Sequence, residues 1–547
     1  MIFQKIVQHT IKLILIVIFI SACSSKKKVD FIYYNANIFA VDSSFSKHQA
    51  MAIHKGKIVF IGTTNDAVKY FESEHKIDVK QQFIYPGLHD AHCHFVGYAG
   101  DMYKCQLYGS KSFDEVLKKV REYDATNELT FIYGRGWDQN DWPIKQFPNN
   151  IKINKLFKNK AVILKRIDGH AILINEFLFK KASRVLEKYM NTSFIQKVNG
   201  KPTGILFDTA MDEVEKLLPK ISRKTLIKNI IKAQKECFEL GLTTVTDAGL
   251  NYDDILLIDS LQKANVLKLR MNIMVMATTE NLSYFATHTF TNTNLLRVAS
   301  LKVYADGALG SRGACLKQPY TDDSGNFGKL NIPISTLDSI ADWAIKHKFQ
   351  MNTHAIGDST NSVILKLYAS KLKAKNNLRW RVEHAQVVDK KDVHYFYDYN
   401  IIASVQPTHA TSDMYWAKER LGSQRINNAY SYGNFIKQGV SIALGTDFPV
   451  EYLNPLYTFY AATSRQNAKG FPTEGFNIED ALTREQTLRG MTIDAAYAAF
   501  WEQNIGSLEV GKQADFIITN FNFMKDNLLK IRNSKIIETH VAGKIIK

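Results

Sequence analysis

The chain has 547 residues, 45% of them hydrophobic, 12% aromatic and 22% charged; this rules out a single small module and fits neither intrinsic disorder nor a multi-span membrane protein. Lysine and arginine outnumber acidic residues 70 to 53, a formal charge of +17, but the excess is spread along the chain without a recognition module, so no nucleic-acid partner is expected. The five cysteines (Cys23, Cys93, Cys105, Cys237, Cys315) are too few and too scattered for a disulfide framework, and none forms a CxxC pair.

Residues 1–22 carry Lys5 and Lys12 and then the apolar run Leu13–Ile20, followed by Ser21, Ala22 and Cys23. A basic start, a short apolar stretch and small residues at a cut site describe a secretory signal. The run is short of the ~20 residues that span a bilayer, and an uncleaved N-terminal anchor is the competing reading. Ile20-Ser21-Ala22-Cys23 resembles a bacterial lipobox. That resemblance implies cleavage before Cys23, lipid on its sulfur and new amino group, and a lipoprotein anchored in the bacterial cell envelope, facing the periplasm or the exterior. Ser24–Lys28 would be a polar tether favouring an anionic lipid surface, and loss of Lys5 and Lys12 would lower the charge from +17 to +15.

After the tether, residues 23–85 alternate short β-type runs with turns: Ile32–Phe39, then Met51–Ile61 with Lys55-Gly56 as a hairpin turn. Residues 501–547 repeat the style, with Asp515–Thr519, Ile536–Val541, a turn at Ala542-Gly543 and Lys544–Lys547. Each set is too small to stand alone, so the two ends of the chain are expected to pair into one small composite β-sandwich. Between them, residues 86–500 alternate apolar β-type runs with helical stretches. The runs Gly87–Phe95, Thr243–Asp247, Leu269–Met276, Leu301–Asp306, Phe349–His354, Arg379–His384, Ile401–Gln406 and Val440–Asp447 suggest an α/β fold, a TIM (β/α)8 barrel. An insertion at about 100–225 follows the first run and would overhang the mouth, where such barrels keep their active sites.

The polar residues that end these runs are the candidates for chemistry. Asp90, His92 and His94 share one face of the first strand, since strand side chains alternate. Two imidazoles at i and i+2 can bind one metal, although an isolated HxH is equally an exposed or core pair. His354 and His384 each end a strand, about one β/α unit apart. In the eighth run Ala443, Gly445 and Asp447 share a face, so small residues leave space below a carboxylate; taken alone, Asp447 also reads as a helix cap. Lys302, Tyr304 and Asp306 face the barrel interior in the fourth run. A buried ammonium needs a partner or a changed protonation state. Lys302 would either pair with Asp306 or another carboxylate, or react with carbon dioxide to give a carbamate that bridges two cations.

Together Pro86–His94, Gly241–Asp247, Lys302–Arg312, His354–Asp358, Arg381–Gln386, Gly445–Pro449 and Gly506–Asp515 resemble the amidohydrolase superfamily, in particular its family 3, YtcJ-like branch, as do Gly136–Asp138 and Asp168–His170 in the insertion. The resemblance spans nearly the whole mature chain. It implies a distorted barrel with a composite sandwich, and metal-dependent hydrolysis, usually of amide-type C–N bonds. Position by position it implies that His92, His94 and Asp447 hold one metal, that His354 and His384 hold a second, and that carboxylated Lys302 bridges them. Asp447 would be the acid/base. Members with a single metal exist, so one or two divalent ions, with zinc the first choice, are expected. Trp137, Asp138, His170, Arg312, His409, Gln406 and Trp416 would lie near the mouth and shape a pocket, with loop packing as the alternative for each; Arg312 could hold a carboxylate. Because the branch includes enzymes acting on N-substituted formamides, an N-formyl or N-acyl amide is the first expectation for a small-molecule substrate. The alternatives are a mononuclear deaminase, for which Gly357 stands where a glutamate is usual, an esterase of the same fold, and an inactive binding lipoprotein. The sequence leaves the physiological substrate and the oligomeric state open.

Overall fold

The computed structural model describes residues 26–126, 130–218, 221–288, 290 and 292–547; the lipobox and Cys23 lie outside them. Eight parallel strands follow one another in chain order around a barrel: Leu88–Cys93, Leu242–Leu250, Arg270–Met276, Leu296–Tyr304, Gln350–Ala355, Arg381–His384, Ile402–Val405 and Ile442–Leu444. Their residues are almost all buried, as expected of parallel strands packed between an interior and an outer layer of helices. Closure comes from the eighth strand's exit, where the Asp447 N–H donates to the His92 carbonyl at 2.7 Å and the His94 N–H to the Phe448 carbonyl at 2.8 Å. Gly445 permits this seam, because a Cβ there would lie 2.5 Å from the His92 nitrogen.

The helices carry their own instructions. In Arg223–Glu239, Ser222 caps the N-terminus by accepting the Thr225 N–H, and Ile230, Ala233, Cys237 and Phe238 form the buried stripe at helical spacing. The chain then reverses at Gly241 (φ +84) into the second barrel strand. Among the described residues no helix is long and apolar enough to cross a membrane.

The two ends of the chain meet in a six-stranded sheet, where Phe83–Pro86 runs antiparallel to Phe516–Thr519. A four-stranded sheet built from Phe31–Tyr34, Ala50–His54, Lys57–Gly62 and His75–Asp78 supplies the other layer. Tyr33, Ile38, Met51, Ile53, Ile84, Phe516 and Ile518 form the core of this sandwich. Both predicted hairpin turns have two successive positive φ angles, 50° and 76° at Lys55-Gly56 and 48° and 73° at Ala542-Gly543. The run Ile32–Phe39, expected as one strand, is broken at Asn35 (φ 55): Phe31–Tyr34 enters the smaller sheet and Asn37–Phe39 the larger. Lys27–Lys28, expected in a polar tether, forms a short strand parallel to Phe71–Glu72.

The insertion has a sheet of its own. Cys105–Gln106, Phe131–Trp137, Ala161–Arg166, Ala171–Ile174, Lys201–Phe207 and Ile195–Val198 lie side by side in that order, with a separate hydrophobic core on each face.

Candidate active site

His92 and His384 are fixed from behind. The His92 Nδ1 is held by the Glu383 carboxylate, and Glu383 is gripped in turn by Arg381, with Nε–Oε1 at 2.7 Å and Nη2–Oε2 at 2.9 Å. Arg381 itself donates to the Ala91 carbonyl at 2.8 Å and the Ser404 hydroxyl at 2.7 Å. The Gln406 side-chain oxygen Oε1 accepts from the His384 Nδ1 at 2.8 Å. With the proton of each ring on Nδ1, each Nε2 presents its lone pair to the barrel mouth, the tautomer a metal ligand needs.

Four strand ends then converge. One donor atom each of His92, His384 and Asp447 lies within 4.8 Å of the others. The Asp447 Oδ1 is 3.5 Å from the His92 Nε2 and 3.2 Å from the His94 Nε2, and its Oδ2 is 3.6 Å from the His409 Nε2. The rings of His354 and His384 meet edge-on, centroids 4.5 Å apart. Burial, with Lys302 beside it, pulls His92 down to about 4, and burial holds His354 and His384 well below the usual imidazole range. Burial would push Asp447 up, but His94 and His92 outweigh it and keep the carboxylate ionised. Neutral imidazoles beside an anionic carboxylate form a donor set for a divalent cation.

An orphan count supports that fit. The His354 Nε2 and His409 Nε2 are buried without a hydrogen-bond partner among the described residues. Such atoms are costly unless a ligand satisfies them. Asp447 caps no helix: the next one, Pro455–Ser464, is capped by Asn454, and the Thr446 hydroxyl accepts the Phe448 N–H at 3.0 Å in the turn.

Lys302 is fully buried, its Nζ 3.2 Å from the His92 Nε2 and 4.7 Å above the Tyr304 ring. Burial pulls its amine down to about 8 against the attraction of Glu383 and Asp447. The salt bridge to Asp306 is not formed; that carboxylate accepts the backbone N–H groups of Cys315 and Ile356 at 3.0 Å and Gly357 at 2.9 Å.

Above this floor lies a cavity of about 170 Å³. Asp138, His170, His409 and Trp416 line it, as expected, and Gln406 stands behind His384. Two expectations are corrected. Trp137 does not line the cavity: a bulge at Gly136 (φ +105) turns it into the insertion's core, where its Nε1 donates to the Leu164 carbonyl at 2.8 Å. Arg312 does not line it either, because its guanidinium is forked onto Asp322 at 3.2 and 2.9 Å. Sequence reasoning missed Glu383 and Arg381 as site residues, since with His384 facing inward its strand neighbour Glu383, and Arg381 two before that, should face away; the positive φ of His384 (72°) at the strand's last residue lets Glu383 and His384 both face inward. It also missed Arg166, Asp413 and Glu451 on the cavity wall, because Arg166 ends an insertion strand, Asp413 ends the short helix Pro407–Asp413 and Glu451 lies in a loop, and no shared periodicity links the three.

The sequence profile of the Amidohydrolase family matches residues 76–547. Among curated relatives, Protein LONG AFTER FAR-RED 3 of Arabidopsis thaliana is 29% identical over 94% of this chain and 91% of its own length. The putative amidohydrolase YtcJ of Bacillus subtilis is 26% identical over 94% and 99%, and the N-substituted formamide deformylase of Arthrobacter pascens 21% over 94% and 97%. An uncharacterized metal-dependent hydrolase from Pyrococcus horikoshii superposes with a TM-score of 0.75 over 91% of this chain and 99% of its own, at 24% identity. The chain therefore belongs to the amidohydrolase family, whose reaction is hydrolysis at carbon–nitrogen bonds.

Proposed function

We propose that the chain hydrolyses the amide-type C–N bond of an N-formyl or N-acyl compound, using one or two divalent cations, zinc first among them, held by His92, His94, Lys302, His354, His384 and Asp447. The observation that carries this is the convergence of His92, His384 and Asp447 donor atoms within 4.8 Å at a cavity floor, with both ring tautomers locked from behind. A divalent cation there supplies Lewis-acid polarisation of a carbonyl and acidifies water. Asp447 takes the proton of the attacking water and returns it to the departing amine, acid–base work worth ~10²–10⁴-fold. Its two oxygens suit the task, one facing His94 and the other His409. Lys302, with no carboxylate in ion-pair contact among the described residues and its amine drawn down to about 8, suits attack of the neutral amine on carbon dioxide, giving a carbamate and a proton; this is the arrangement for two cations. The name of the Arthrobacter pascens relative supports formamides as the first substrates to screen.

Metal content per chain, measured by mass spectrometry on protein beginning at Ser24 and purified without chelator, tests the reading. Two equivalents, falling to one or none in Lys302→Met, support the binuclear form, and one equivalent unchanged in that variant makes Lys302 a structural residue. No metal after reconstitution with zinc or manganese overturns the reading. We further propose that Cys23 carries lipid and anchors the protein in the cell envelope. Metabolic labelling with a radioactive fatty acid tests this, since Cys23→Ala should abolish incorporation, and an unlabelled wild type would refute it.

A further inference from the structure

The floor and the wall of the cavity differ in character. At its floor the buried His354 Nε2 and His409 Nε2, both without a hydrogen-bond partner among the described residues, are open to a ligand. Its outer wall, built by the insertion and the loops after the seventh and eighth strands, carries the carboxylates Asp138, Asp168, Asp413 and Glu451. Arg166 on that wall is already divided between Asp138 and Asp168, with its Nε on the Gln139 side chain at 2.9 Å. His170 is matched by Asp208 at 3.0 Å. Asp413 accepts the Tyr430 hydroxyl at 2.8 Å and the Gln386 amide at 3.1 Å, both neutral donors. Glu451 stands within electrostatic range of Asp413, and neither carboxylate has an ion-pair partner among the described residues. Burial, compounded by Asp138 beside Asp413 and by Asp413 and Asp447 near Glu451, pushes the two groups up to about 7 and about 8, and Tyr430 and Arg166 at Asp413 and Ser412 at Glu451 offset it only in part. Unmatched carboxylates crowded in one wall are relieved by a cation and aggravated by an anion.

Resting on the amidohydrolase reading of the floor, we propose that the substrate carries a positive group besides its scissile amide, held at Asp413 and Glu451, and that amides bearing a carboxylate in that position are rejected. The wall thus sets the substrate class as amides of amino-alkyl type. Leu309, Ile356 and Val450 line the space as well and suit an aliphatic chain. Arg166, the one arginine lining the cavity among the described residues, cannot serve a carboxylate without abandoning two ion pairs.

Calorimetry with three matched ureas on the metal-loaded protein separates this proposal from the catalytic one, because binding needs no turnover. N-(4-aminobutyl)urea should bind about tenfold tighter than N-butylurea, the scale of one hydrogen bond to a charged group, and 4-ureidobutanoate weakest. Glu451→Gln, and independently Asp413→Asn, should bring the ratio of the first two toward one, with circular dichroism checking the fold of each. Equal affinities, tighter binding of the carboxylate, no binding of any urea, or a cation preference untouched by both variants would each overturn the proposal. A cation preference that disappears in the variants, with no hydrolysis of the matching formamides, would keep the wall assignment and defeat the hydrolase reading instead.

Discussion

Two of the buried arginines, Arg381 and Arg166, grip carboxylates beside the cavity, and they do different work. Arg381, fully buried on the sixth barrel strand, holds Glu383, which passes the constraint on to His92 and so to the metal-binding face. Arg166, 1% exposed at the end of an insertion strand, holds Asp138 and Asp168, and both belong to the cavity wall. The first clamp points a lone pair; the second shapes a surface. A strand interior inherits its orientation from ladder hydrogen bonds on both sides, whereas the wall depends on the insertion keeping its position over the barrel.

The sharpest way to break this contrast is at the floor. Asp447→Asn should lower turnover of an N-formyl amide by ~10²–10⁴-fold with the fold intact by circular dichroism. Asp138→Asn in the wall should leave turnover within an order of magnitude, and similar losses in the two variants would erase the distinction. Next in size, Arg381→Met leaves Glu383 as an uncompensated buried charge and should cost ~3–5 kcal/mol in denaturant unfolding. Arg166→Met, whose carboxylates face a cavity, should cost less in the same titration. Glu383→Gln keeps the shape but weakens the hold on His92, so metal affinity should fall ~10–100-fold in competition with a chelator.

The smallest effect is in the pH dependence of stability. Burial alone would push Glu383 up, but Arg381 and His92 hold it at about 2, below its ordinary value of 4.5. A carboxyl depressed on folding contributes stability that is complete above its unfolded value and lost as pH falls. The wild type should therefore lose unfolding free energy between pH 4.5 and about 2, and Glu383→Gln should show a shallower slope across that window.

Residue order alone placed all eight barrel strands, because each is a short apolar run ending in a polar residue and flanked by helical periodicity. It placed His92, His94, His354, His384 and Asp447 near one another for the same reason, since residues ending parallel barrel strands share one rim. It also located the paired ends of the chain, through positive-φ turns such as Ala542-Gly543. What it could not supply was anything that depends on contacts distant in sequence. The insertion's own sheet, the burial of Trp137 behind the Gly136 bulge and the engagement of Arg312 by Asp322 all arise from pairings that local periodicity does not encode. The seam at Gly445, the Arg381–Glu383–His92 relay and the acidic wall at Asp413 and Glu451 exist only once the barrel has closed. A strand's alternation says which face a side chain takes; which partner waits on that face is decided by tertiary packing.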